Sequence, residues 1–200
     1  MTSYAWPTDW LPAACTEPVL RPNVGIHESP YTGSQQSIDE LGERFMQSLR
    51  LVPTRGAVAS GARQAFFNRL RGAGFVTVHA LARPQPMGTQ RATPTLSANV
   101  AQGAASLPLT GVTNGATLLA GDMLGVSGQL FQVAADVTFS GTTGTVATTN
   151  RARAALSSAA SVTWDKPTAD WRVANLVEIL LNPGMISEPV DLELIQVWIA

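Results

Sequence analysis

The sequence is poor in the side chains that most catalytic and metal sites use. Among its 200 residues there is one cysteine, Cys15, and there are two histidines, His27 and His79. A single thiol excludes an internal disulfide framework and any multi-thiol metal site. Neither histidine has a second His, Cys or carboxylate at metal-ligand spacing. Charge is equally scarce: 13 Lys plus Arg face 14 Asp plus Glu, a formal net charge of −1. Charged residues make up 14% of the chain, against roughly 25% in an average soluble domain. No global field draws such a chain onto nucleic acid or anionic membrane, which excludes a general polyanion binder. No run approaches the roughly 20 apolar residues of a membrane-crossing helix. The first residues, with Trp6, Pro7, Asp9, Trp10 and Pro12, lack a basic stretch followed by an apolar one. They predict no secretory signal, and so synthesis in the cytoplasm.

The motifs of the common nucleophile and phosphate sites are missing too: no G-x-S-x-G elbow, no G-x-x-x-x-G-K-[ST] loop and no H-E-x-x-H helix. Gly141-Thr142-Thr143-Gly144 joins two predicted strands with no helix N-terminus after it, and reads as a hairpin turn. Cys15 acts as a nucleophile only with a histidine brought to it by the fold. His79 falls on the Phe75, Thr77, Leu81 face of a strand and reads as a structural histidine. The pairs Glu40 with Glu43 and Asp191 with Glu193 have nothing apolar nearby to split their pKa values, and read as solvated faces. The sequence therefore predicts no catalytic, cofactor-binding or metal-ligating residue, no cofactor, and a protein that is not an enzyme.

What is present is unevenly spread. Residues 1–91 and 166–200 hold twenty-two of the twenty-seven charged residues, whereas 92–150 hold only Asp122 and Asp136. The middle is rich in Gly, Thr, Ala and Ser with regular turn signals. This pattern predicts a discontinuous host domain, 1–91 plus 166–200, with 92–165 inserted as a small β module and 1–35 as an extended arm. Apolar residues make up 45% of the chain. Weak self-repulsion suits a subunit packed against its neighbours.

Residues 44–52 alternate, with Phe45, Leu49 and Leu51 on one face against Arg44, Ser48 and Arg50 on the other, as in a half-buried strand. Ser60 is placed as an N-cap before a helix over 61–71, with Gly72 and Gly74 as stops and Ala62, Phe66 and Leu70 as its apolar stripe. A second strand covers 75–81, and Arg83-Pro84-Gln85-Pro86 leaves the sheet. In the middle piece, 129–139 reads as one strand with Phe131, Val133, Ala135, Val137 and Phe139 on one face, within a small barrel or sandwich of five or six strands. The last piece gives strands over 172–181 and 190–199 with a turn at Asn182-Pro183-Gly184. Val190, Leu192, Leu194 and Trp198 share the buried face. Twelve of the thirteen basic residues are arginine, and Arg44, Arg50, Arg55, Arg63, Arg69 and Arg71 gather around the first strand and the helix. Arginine suits bidentate pairing at interfaces, so subunit contacts are favoured over a DNA-facing lumen.

Leu41-Gly42-Glu43-Arg44-Phe45, then the helix, then 75–81 and Arg83-Pro84-Gln85-Pro86-Met87-Gly88 resemble tail proteins of long-tailed bacteriophages. Inside the insertion, Leu118-Leu119-Ala120-Gly121-Asp122-Met123-Leu124-Gly125-Val126 with 129–133, 135–138 and 141–144 is similar to the payload β module of those proteins. The family resembled is the distal tail protein, over roughly residues 36–200. The resemblance implies a mainly β, tail-tube-like sandwich or split barrel with one flanking helix. It also implies a hexameric ring at the tail tip of the virion, partnered by the tail tube protein, the baseplate hub and tail fibres, with DNA passing through the lumen. It brings no catalytic residue. The alternatives are another tail-tip component, or a carbohydrate-binding β-sandwich that contacts host glycans. For the latter, 92–165 offer only Phe131, Phe139 and Trp164 as aromatic platforms.

Overall fold

The structure is a computed structural model that describes residues 2–70, 74–175, 177–180, 182 and 186–197. Among the described residues it is mainly β with one helix, one mixed main sheet and several small antiparallel sheets. The chain divides into two compact units: Met1–Val19, Phe45–Pro84 and Thr168–Ala200 form one, Leu20–Arg44 and Gln85–Pro167 the other.

The first unit is built on a mixed sheet. The sheet's strands are β1 (Thr2–Ala5), β2 (Pro12–Cys15), β6 (Arg44–Leu51), β7 (Gly74–His79), β16 (Thr168–Val173) and β17 (Val190–Gln196), with β3 (Val19–Arg21) at the boundary where the unit's first segment ends. Their order is β1-β7-β16-β17-β6-β2, with β3 also pairing β6. The strands β1 and β7 run parallel; β7 with β16, β16 with β17, β17 with β6 and β6 with β2 are antiparallel. Residues 2–15 are thus the two edge strands of their own unit's sheet and the loop between them.

The period-2 reading of 44–52 holds: Phe45, Leu49 and Leu51 are buried and Ser48 and Arg50 exposed. Gln47 joins the buried face, 2% exposed, with neither of its amide atoms hydrogen-bonded. Across the ladder, Val190, Leu192 and Leu194 meet Leu51, Leu49 and Gln47 on that same face. Trp171 completes it, its indole N–H donating to the Val78 carbonyl at 2.9 Å. The strand expected over 172–181 begins earlier and stops at Val173. Beyond it Asn175 bonds both the carbonyl of Asp191 and the amide of Glu193, so a side chain takes over from the ladder. Trp198, Ile199, Leu181 and the Pro183-Gly184 half of the expected turn lie outside the described residues, as do Arg71 and Gly72.

The helix, α1, spans Ala57–Arg69. It starts before Ser60, which is not its cap: Gly56, at φ 91°, turns the chain, and the Ser60 hydroxyl donates back to the Gly56 carbonyl from inside the first turn. The buried stripe is also shifted, being Ser60, Arg63, Phe67 and Leu70, while Ala62 is exposed and Phe66 half-buried. The cause is the loop after β1. Trp6 and Trp10 pack edge-to-face on Phe66 at 6.5 and 5.0 Å, and Trp10 covers the Arg63 guanidinium at 5.2 Å. Aromatic faces supplied by residues far away in sequence let a cation lie under the helix.

The second unit holds short strands: β4 (Val24–Glu28), β5 (Gln35–Asp39), β8 (Thr95–Leu96), β9 (Ser106–Thr110), β10 (Thr117–Leu118), β11 (Met123–Val126), β12 (Gln129–Gln132), β13 (Val137–Thr138), β14 (Thr143–Ala147) and β15 (Val162–Thr163). They pair as β12-β11-β15, β14-β9-β8, β10-β13 and the hairpin β4-β5. The core takes Leu107, Leu109, Leu118, Leu124, Phe131, Phe139 and Val146 among others. The single strand expected over 129–139 is two, β12 and β13, because Val133 turns to bond Asp122 and Gly121 and Ala134 bonds Ala147. Consequently 141–144 is not a hairpin turn: β13 pairs β10 and β14 pairs β9. Gly144 is required there, since a Cβ on it would lie 2.5 Å from the Phe139 ring.

The two acids of the charge-poor stretch converge on one turn. Asp122, 0% exposed, accepts from the Met87 amide at 2.7 Å, Gly88 at 3.2 Å and Leu119 at 2.8 Å. Asp136 accepts from Ala120 at 2.8 Å. Gly88 passes so close to Thr117 that a Cβ would collide with the Thr117 carbonyl oxygen. Asp122→Ala leaves three amides unpaired and is expected to cost about 2–3 kcal/mol in urea unfolding, with exposed Asp136→Ala costing about 1 or less. Gln47→Leu is expected to do the opposite, raising stability by about 1 kcal/mol, because an unpaired amide gives way to an apolar group of similar volume.

Candidate functional site

Along β6, β16 and β17 the sheet of the first unit buries one face. The other carries Ser48 and Arg50 on β6, Asp191 and Glu193 on β17, and Asp170 and Arg172 on β16, by alternation with the core positions. A shallow groove of about 280 Å³ runs along its β2 edge and is lined by Cys15, Thr16, Ser48, Arg50, Asp191 and Glu193 among others. The Arg50 Nε lies 3.7 Å from Asp191, with both side chains largely in solvent, so the pair contributes little. Burial pushes the Cys15 thiol above its ordinary pKa, away from the thiolate that nucleophilic chemistry needs.

Among the described residues no histidine lines that groove. His79 sits on β7, four strands away in the sheet order, roughly 19 Å at about 4.8 Å per strand. The fold therefore does not bring Cys15 and His79 together. Two residues before His79 on β7, the Ser3 and Thr77 hydroxyls are 2.7 Å apart, and Thr77 donates to Asp170 at 2.5 Å. His27 lies exposed on β4 of the other unit. The carboxylate pairs are separately engaged, Glu43 by the Arg151 amide, Glu40 by Asn23 at 3.3 Å and Asp191 by Arg50. Among the described residues no group of three or more His, Cys, Asp or Glu converges as metal ligands.

The arginines divide by role. Arg63, 2% exposed, donates to the Val52 carbonyl at 2.7 Å; burial draws its pKa down, and Asp9 partly offsets this. Arg50, Arg55, Arg69 and Arg172 are exposed. The aromatics expected as a sugar platform are placed otherwise: Phe131 and Phe139 are in the core, and Trp164 lies under Arg91 with its indole N–H on the Ala92 carbonyl.

Sequence reasoning missed the most exposed element. The β4–β5 hairpin runs from Val24 to Asp39 in antiparallel register. Between residues 24 and 38 every residue except Gly25 and Ser29 is exposed, including Val24, Ile26 and Ile38, with Tyr31 at the tip 96% exposed. The signal was available, as Val24, Ile26 and Ile38 flank the turn residues Pro30, Tyr31, Thr32 and Gly33. Leu11, Val19, Val58, Met87 and Leu180 are exposed as well. Apolar surface and unpaired strand edges are equipment for binding other polypeptides.

The raised thiol sets one expectation. In the folded protein Cys15 is alkylated by iodoacetamide several-fold more slowly at about pH 8 than in urea, and the folded-state rate is still climbing above about pH 9. Equal rates in both states would remove the burial argument. Compared with known proteins, the chain matches no protein-family model and no curated protein.

Proposed function

We propose that this chain is a structural subunit that assembles with copies of itself into a ring at the distal end of a phage tail. In that position it joins the tail tube to the baseplate hub and fibres and surrounds the channel for DNA. The observation that carries the reading is the exposed apolar surface of a chain with little charge: Leu11, Ile26, Tyr31, Val58, Met87 and Leu180 face solvent in the single chain. Such surface is hard to keep wet without like-charge repulsion to hold copies apart. The ordered motifs over residues 36–200 that resemble distal tail proteins supply the context, and the mainly β fold with one helix is compatible with it.

The chemistry of the chain fits the same role. Among the described residues no histidine lines the groove at Cys15, and side chains such as Asp122, Asn150, Gln129 and Gln64 bond backbone groups. Electron microscopy of the purified protein at high concentration is the test. Closed rings with a central channel are the expected result, and labelled particles should carry the protein on the tail axis. A compact monomer at all concentrations would end this reading.

A further inference from the structure

Resting on that reading, we propose that the contact between copies is made by the β4–β5 hairpin of one chain docking on the outward face of helix α1 of the next. The hairpin presents Val24, Ile26 and Glu28 on one face by strand alternation, with Tyr31 at its tip. A two-stranded hairpin with both faces wet is marginal in water, so its apolar positions gain most from being covered.

The receiving surface is the part of α1 turned away from Phe67. Val58, Gly61, Ala62, Ala65 and Arg69 follow the spacing of a single helix face, and all are exposed. Val58 is 88% exposed, and a Cβ added at Gly61 would meet nothing within 4 Å. Gly61, Ala62 and Ala65 are small, so branched side chains such as Ile26 can approach the helix closely between Val58 and Arg69.

Charge selects the occupant. Between residues 24 and 39 the sequence has the acidic residues Glu28 and Asp39 and no Lys or Arg, whereas 55–69 contain Arg55, Arg63 and Arg69 and no acid. Arg63 is buried, which leaves Arg55 and Arg69 to meet the hairpin. An anionic apolar element and a cationic apolar face on one chain favour a second copy of that chain. Because the two surfaces differ, the contact is heterologous: each copy gives a hairpin to one neighbour and receives one from another.

Sedimentation velocity on paired variants tests this. Ile26→Asp with Val24→Asp disables the hairpin, and Val58→Glu with Ala62→Glu disables the helix face. A second hairpin variant, Ile26→Thr with Val24→Thr, keeps β propensity. Circular dichroism and thermal melting check that each remains folded. Each variant alone is expected to be monomeric, with self-association at least tenfold weaker than wild type. An equimolar mixture of hairpin and helix variants should form a one-to-one heterodimer and stop there, since only one intact pairing remains. Folded variants that assemble like wild type, or a mixture that stays monomeric, would overturn this contact while wild-type rings kept the broader reading intact. A wild type that never associates would overturn both.

Discussion

Buried backbone N–H and C=O groups need partners, and this chain meets that constraint with strands of only two to eight residues. Where the ladders run out, side chains replace them. Asn150 accepts from the Gln132 amide and donates to the Leu130 carbonyl, taking the place of a neighbouring strand beside β12. Gln129 does the same for the Arg151 carbonyl and the Arg153 amide, and Gln64 for Val177 and Ile179. Asp122 gathers three amides at once. The low charge and abundance of neutral polar residues follow from this arrangement, because the polar side chains work inward on backbone.

The same constraint separates the strand edges that are protected from those that are not. Edges β1 and β2 have four residues each, and β2 carries Pro12 and a register shift before Ala14. Short, proline-bearing, bulged edges resist further strand pairing. The β4–β5 hairpin has five-residue strands in unbroken register with no bulge. For contacts between copies, the main sheet's edges are therefore less favoured than the hairpin with an apolar face able to cover it.

Period-2 patterns were legible wherever strands are half-buried, as at β6 and β17, because solvent on one side writes the alternation into the sequence. The reading failed where distant residues intervene. Arg63 looks like an outward position of α1, and Ser60 like its cap, until Trp10 and Thr54 are placed against them. The alternation over 129–139 runs straight through a bend, since nothing local marks Val133 as the partner of Asp122 and Gly121. The hairpin was passed over because its apolar residues alternate without a core to serve. A pattern used for binding looks the same in sequence as one used for folding.

The preference for arginine has a corresponding division. Arg91 donates to the carbonyls of Gly88, Gln90 and Pro86 while its guanidinium lies 5.3 Å from the Trp164 ring centre. Arg83 meets Glu17 through two nitrogens, each 2.9 Å from the same carboxylate oxygen. A planar guanidinium can hold several acceptors and an aromatic face together, which a lysine ammonium cannot. Arginine enrichment is therefore explained in part inside each unit, without a partner. Among the described residues, exposed Arg55 and Arg69 remain around the helix, a charge of the sign that would orient an acidic hairpin. With attraction limited to so few charges, most of the affinity of such a contact must come from the apolar side chains it covers, and salt should weaken it only modestly.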